Sequence, residues 1–181
     1  MANPVQNFFR VPELKEKVLF TLFILLIYRA GSHITVPSLD VGALREQFGQ
    51  LEGTFFGIYD MFVGGGLSRA TILALGIMPY ISASIMFQLL AAVFPTIEKL
   101  QKEGEEGRKK ITQYTRYGTV FLAAAQSYGV SFFLENITAP ISGNPAVPNP
   151  GIFFTLSTML TITTGTIFIM WLGEQITERG I

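Results

Sequence analysis

The chain contains no cysteine and one histidine in 181 residues. Without thiols there is no disulfide, no thiolate nucleophile and no cysteine-bound zinc. One imidazole cannot build a histidine-rich metal centre, so neither a metal nor another cofactor is expected. Charge is scarce too: Asp, Glu, Lys and Arg make up 14% of the chain, against about 25% in soluble domains. That deficit argues against a soluble globular protein, a disordered tail and a protein that binds DNA or RNA. The first 17 residues are polar and charged, and no small-residue cleavage pattern closely follows the first apolar run. No cleavable signal peptide is expected. There is no G-x-x-x-x-G-K-[S/T] phosphate loop, so the chain encodes no motor of its own.

Apolar residues, by contrast, reach 49%, and the mean hydropathy is +0.43. A helix crosses the hydrocarbon core with about 20 mostly apolar residues. Apolar stretches occur at 18–36, 70–97, 117–134 and 152–172. The expected fold class is therefore all-α, a polytopic membrane helical bundle. Lys and Arg orient it. Arg10, Lys15 and Lys17 precede the first span; Lys99, Lys102, Arg108, Lys109, Lys110 and Arg116 follow the second; Arg179 follows the fourth. The other two loops hold only Arg45. The positive-inside rule then makes both ends of the chain and the 98–116 loop cytoplasmic. The expected order is a cytoplasmic segment 1–17, a span 18–36, an outer loop 37–60 and a half-helix within 61–74. A span 77–95, a basic loop 96–116, a span 117–135, an outer loop 136–151, a span 152–172 and a cytoplasmic end 173–181 follow. The Pro-rich NPAVPNP at 144–150 belongs to a turn region, since proline lacks the donor that helix or sheet needs.

The most informative stretch is MFVGGGLSRATILALGIMPYISASIMFQLLAAVFP at 61–95. Gly64, Gly65 and Gly66 precede a short piece carrying Arg69, and Gly76 and Pro79 come soon after. Proline breaks a helix interior but suits the first turn of a new helix. The pattern predicts a half-helix over 67–74, a break, and then a helix over 78–94, roughly 25 Å long. Interrupted backbone at membrane depth is tolerated inside protein or beside a water-filled cavity. It also points to a transport pathway. A kinked helix in an ordinary bundle is the competing reading. Ile77, Ile81 and Ile85 recur every fourth residue and share a face. Such a stripe is either plain packing or a constriction that gates by excluding water. No charge lies between Thr71 and Pro95. An apolar gate is thus favoured over a small-solute secondary transporter, which places ionisable groups at midplane. No paired Asp and no Ser/His arrangement within the spans suggests a membrane enzyme.

The segments GGGLSRATILALGIMPYISASIMFQLL (64–90), EGEEGRKKITQYTRYGT (103–119), MWLGEQITERGI (170–181) and FRVPELKEKVLFTLFILLIYRAGSHITVP (9–37) resemble the SecY family, the channel subunits of the bacterial Sec protein translocase. The resemblance covers essentially the whole chain. It implies an amino-terminal fragment of the SecY fold, holding helices one to four and a re-entrant plug. It further implies a non-enzymatic, passive conduit in the bacterial inner membrane. Together with SecE and SecG, such a conduit passes unfolded secretory proteins and releases membrane segments sideways into lipid. Its expected partners are signal sequences, unfolded polypeptides and lipid, with SecA or a ribosome docking at the cytoplasmic side. Carried over residue by residue, the plug includes Gly64, Gly65, Gly66, Leu67, Ser68, Arg69 and Ala70. The pore ring receives Ile77 and Ile81 from this half. Ile85, Gln88 and Gln126 face the lateral gate. Arg108, Lys109 and Lys110 serve cytoplasmic docking, although fixing the orientation would alone account for that cluster.

Overall fold

A computed structural model describes residues 12–51 and 53–180. The first 11 residues, with Arg10 and most of the expected amino-terminal segment, lie outside the described residues, as does Ile181. Among the described residues seven helices follow in order: α1 (Pro12–Gly31), α2 (Val41–Gln50), α3 (Phe55–Phe62), α4 (Met78–Val93), α5 (Pro95–Lys102), α6 (Glu105–Glu135) and α7 (Ile152–Arg179).

Local chemistry explains their limits. Glu13 sits in the first turn of α1 and Arg29 in its last, each at the favourable end of the helix dipole. Asp40 caps α2, its Oδ1 accepting the Gly42 and Ala43 amides at 2.9 and 3.2 Å. Pro79 stands in the first turn of α4, where its missing N–H costs nothing. Phe94 is extended, as the residue before a proline tends to be. There α4 and α5 bend by 104°.

The long helices form a row in which α1 packs on α7, α7 on α6 and α6 on α4, with α5 against both α4 and α6. The α6–α7 pair runs antiparallel in constant register. Arg116 Nε donates to Glu174 Oε1 at 2.7 Å, Ser127 and Thr163 hydroxyls meet at 3.1 Å, and Thr155 Oγ1 donates to Glu135 Oε1 at 3.1 Å. The seam is built from small residues. Thr115, Thr119, Ala123, Ser127 and Ser131 recur every fourth position on α6 and are all buried. Small side chains let two helix backbones approach closely where lipid gives no hydrophobic push.

Several expectations about helix limits are corrected. Residues 67–74 are not a half-helix but a run of turns; the helix of this region is α3, which overlaps the end of the expected 37–60 loop and the start of the expected 61–74 segment. Positive φ at Gly64, Gly65, Ala70 and Gly76 prevents the regular i→i−4 ladder there, whereas FFGIYDMF is free of such breaks. The 37–60 loop also contains α2, and the 96–116 loop is α5 plus the first turns of α6. Its Lys and Glu residues are good helix formers, so charge marked a surface rather than an irregular loop. The first helix spans 12–31 rather than 18–36, and the last continues to Arg179. Among the described residues, α7 alone is long and apolar enough by itself to cross a membrane; α4 and α5 qualify only as a bent pair. α1 is diluted by Glu13, Lys15, Glu16, Lys17 and Arg29, and α6 by its charged first turns and Gln126.

The densest core lies at one end of the row rather than along it. Val36, Leu44, Phe48, Leu67, Ala74, Leu75, Leu134, Ile137, Val147 and Phe154 form one buried cluster. It ties α2 and the loops before α2 and between α6 and α7 to the turns between α3 and α4. Phe48 meets Phe133 edge-on at 6.4 Å. Backbone bonds finish the cap: Asp40 N donates to Ala146 O at 2.9 Å, and Thr138 bridges to Pro145.

Candidate functional site

The turns at 63–77 form the centre of the site, and most of their backbone amides have a partner. Asp60, in the last turn of α3, reaches forward. Its Oδ1 accepts the Leu67 and Ser68 amides at 2.8 and 2.9 Å, and its carbonyl accepts Gly65 N at 2.8 Å. Thr71 N donates to Gly66 O at 2.8 Å. Thr71 then pairs antiparallel with Thr35, just beyond α1. Two bonds frame that bridge, Val36 N to Ala70 O at 2.8 Å and Ile72 N to Ile34 O at 2.9 Å. Ala70 holds φ +43°, a left-handed backbone that costs a non-glycine residue about 1–2 kcal/mol. Full burial and these bonds hold it in place.

The segment presses into the helix row. A methyl group at Gly165 on α7 would overlap the Ile72 carbonyl oxygen, and one at Gly31 would meet Leu73 Cδ1 at 3.0 Å. Glycine at both positions lets the turns approach α7 and α1 at backbone distance. Leu73, Ala74 and Leu75 are buried as a result.

Beyond Gly76 the character changes. Ile77 and Ile81 are 39% and 42% exposed. Both line an apolar cavity of about 390 Å³ with Leu25, Tyr28, Val63 and Leu172. Ile77 also lines a second, polar cavity of about 360 Å³, which holds Arg116, Glu174 and Glu178. It lines both an apolar cavity and one that holds charged groups, as Gly173 does.

The remaining expected residues lie apart from this pair. Ile85 is exposed. Gln88 donates to Ser84 Oγ at 3.2 Å on its own helix. Gln126 lines a different cavity, about 440 Å³, with Tyr59, Leu67, Met78 and Ser82, between α3, α4 and α6. Burial beside that cavity pushes the Tyr59 phenol above its ordinary range. Arg69 and Arg45 line a cavity of about 850 Å³ together with Asp60, Gly64, Gly65 and Ser68. Arg108 and Lys109 line a surface cavity with Arg116 and Tyr117, while Lys110 lies 3.9 Å from Glu103. Among the described residues no group of acids or histidine could hold a metal. Sequence reasoning missed α3, the Asp60 bonds and the paired role of Gly31 and Gly165. The apolar FFGIYDMF before the glycines was the one available signal for α3.

The family model for SecY matches residues 71–181. The chain belongs to the SecY family. It is 47% identical to the protein translocase subunit SecY of Aquifex aeolicus, over 100% of this chain and 42% of that protein. Against the protein translocase subunits SecY of Escherichia coli K12 and Vibrio cholerae it is 52% identical, over 93% of this chain and 38% and 37% of theirs. The chain thus spans about two fifths of the length of these SecY relatives. Membership makes the fold that of a polytopic helical membrane protein. For a SecY chain the interrupted backbone at 63–77 and the short α1 and α6 apolar stretches are features of helices packed within a bundle, where polar groups meet protein rather than lipid.

Proposed function

We propose that this chain forms part of the wall of a protein-conducting channel, the central subunit of the Sec translocon in the bacterial inner membrane. The observation that carries this reading is the position of Ile77. It stands directly after the buried turns and lines both an apolar cavity shared with Ile81 and a charged one. Isoleucine side chains at that point exclude water from an idle channel and deform around a passing chain. The plug, expected over 61–74, is read as α3 and the turns that follow it up to Ile77. Ile85, Gln88 and Gln126 face the lateral route into lipid; the spread of these three over different surfaces of α4 and α6 suits a gate that closes on another part of the protein. Arg108, Lys109 and Lys110 are exposed, and on the cytoplasmic side expected from the positive-inside rule they suit docking of SecA or a ribosome. SecE and SecG complete the assembly. Signal sequences shift the closed–open balance by binding the open state better. No catalytic step is needed for this role.

The test is a photocrosslinking amino acid at Ile77 or Ile81 in the full-length protein, with a secretory chain stalled in transit. Adducts to the stalled chain at both positions are expected. Adducts confined to exposed control positions such as Leu22 on α1 would refute the assignment.

A further inference from the structure

We propose that the plug is divided, and that Asp60 is the catch between its movable and its fixed part. This rests on the reading of α3 and the 63–77 turns as a plug. On that reading the whole stretch is one stopper; its bonding says otherwise.

The downstream part is anchored. Residues 70–76 share the antiparallel bridge to 34–36, and the Ile72 carbonyl lies where a Gly165 methyl would stand. Ala70, Thr71, Leu73, Ala74 and Leu75 are all at most 4% exposed. Moving this part would open the core and leave paired backbone groups bare. The upstream part is held less. Met61 and Phe62 of α3 are 79 and 83% exposed, Tyr59 is its side chain packed against the core, and eight residues make too short a helix to be stable on its own. Between the two lie Gly64 and Gly65, at φ +70° and +77°, where glycine turns the chain without strain.

Across that pivot Asp60 ties α3 to the turns by hydrogen bonds, through the Leu67 and Ser68 amides and the Gly65 amide, while Tyr59 packs against the core cluster. The Asp60 side chain lines the cavity of about 850 Å³. Its carboxylate and the freed amides can therefore exchange each other for water. α3 swings out about Gly64 and Gly65 when Asp60 lets go, and 70–76 stays in the core as the floor under Ile77. Asp60 is a positioning residue and touches no substrate.

Hydrogen exchange on the full-length translocon tests this. In the idle channel Asp60→Ala is expected to speed exchange over 53–66 by at least about tenfold, the loss of roughly one charge-assisted bond. Exchange over 70–76 stays unchanged. Asp60→Asn, which keeps an accepting oxygen, stays within about threefold of wild type. Joint acceleration of 70–76, or an Asp60→Ala protein that exchanges like wild type, overturns the proposal. A second arm uses Thr35→Cys with Thr71→Cys. They face each other as a non-hydrogen-bonded pair, a spacing that accepts a disulfide. The oxidised channel is expected to translocate a precursor within about twofold of its reduced form, while a drop of tenfold or more shows that 70–76 must move. Stalling a precursor in the wild-type channel separates the two readings. If 53–66 keeps its idle protection, α3 is no plug, whatever Asp60→Ala does at rest; if it loses protection together with 70–76, the division alone fails.

Discussion

Gly165 acts through the side chain it lacks. Its missing side chain admits the Ile72 carbonyl, and a rigid backbone atom cannot move aside as a flexible side chain does. Gly165→Val is therefore expected to cost about 1–3 kcal/mol through overpacking. Gly129 on α6 is the matched comparison, because a methyl there meets nothing within 4 Å. Gly129→Ala should be neutral or stabilise by about 0.5–1 kcal/mol, the helix-propensity gain alone. Thermal unfolding of the two full-length variants in detergent checks both. Equal behaviour would show that the turns do not lean on α7. Nothing in the sequence separated these two glycines: each sits in an apolar helix among small residues, and only the neighbour across the interface tells them apart.

At the scale of elements, the α6–α7 seam is where polar groups hold helices together. Ser127 and Thr163 share a hydrogen bond across it at 3.1 Å. A double-mutant cycle with Ser127→Ala and Thr163→Val is expected to give a coupling of about 0.6 kcal/mol, typical of interhelical bonds in membranes. A coupling indistinguishable from zero would mean that small-residue packing alone sets the register. The surface pairs matter less. Lys102 donates to Glu98 one turn away and holds that carboxyl below its usual range. Acidification through that lowered range would undo the pair, yet both side chains are exposed and α5 has other contacts. Of these elements, the apolar stretches behind α4 and α7 were legible from hydropathy and from Pro79. α2, α3 and α5 were not, because a helix of ten residues or fewer has too little periodicity to stand out from a loop.

For the whole molecule, the proposed channel reading makes Ile77 and Ile81 the seal at rest. Ile77→Ser with Ile81→Ser puts hydroxyls where water is now disfavoured. Reconstituted full-length channels carrying both changes are expected to leak ions when idle, by at least about tenfold over wild type if the barrier loses roughly 1.4 kcal/mol. Precursor transport should persist. A tight seal in the double variant would place the barrier elsewhere. Orientation is checked separately, with Cys at Arg108 and at Asn144. An impermeant thiol reagent added outside should label the second and spare the first; the reverse pattern would invert the positive-inside assignment.

Composition and order along the chain were sufficient for the membrane class, the orientation expected from Lys and Arg, and the break near Gly76 and Pro79. Those follow from transfer energies and backbone sterics, which depend on each residue and its near neighbours. The tertiary structure decided that the turns at 67–76 are a buried anchor rather than a half-helix, that α3 is the exposed piece, and that Asp60 links them. Those facts depend on contacts between Thr35 and Thr71 and between Ile72 and Gly165. The partners lie far apart in the chain, and no local preference for helix or turn reports which distant backbone will supply the missing hydrogen bond.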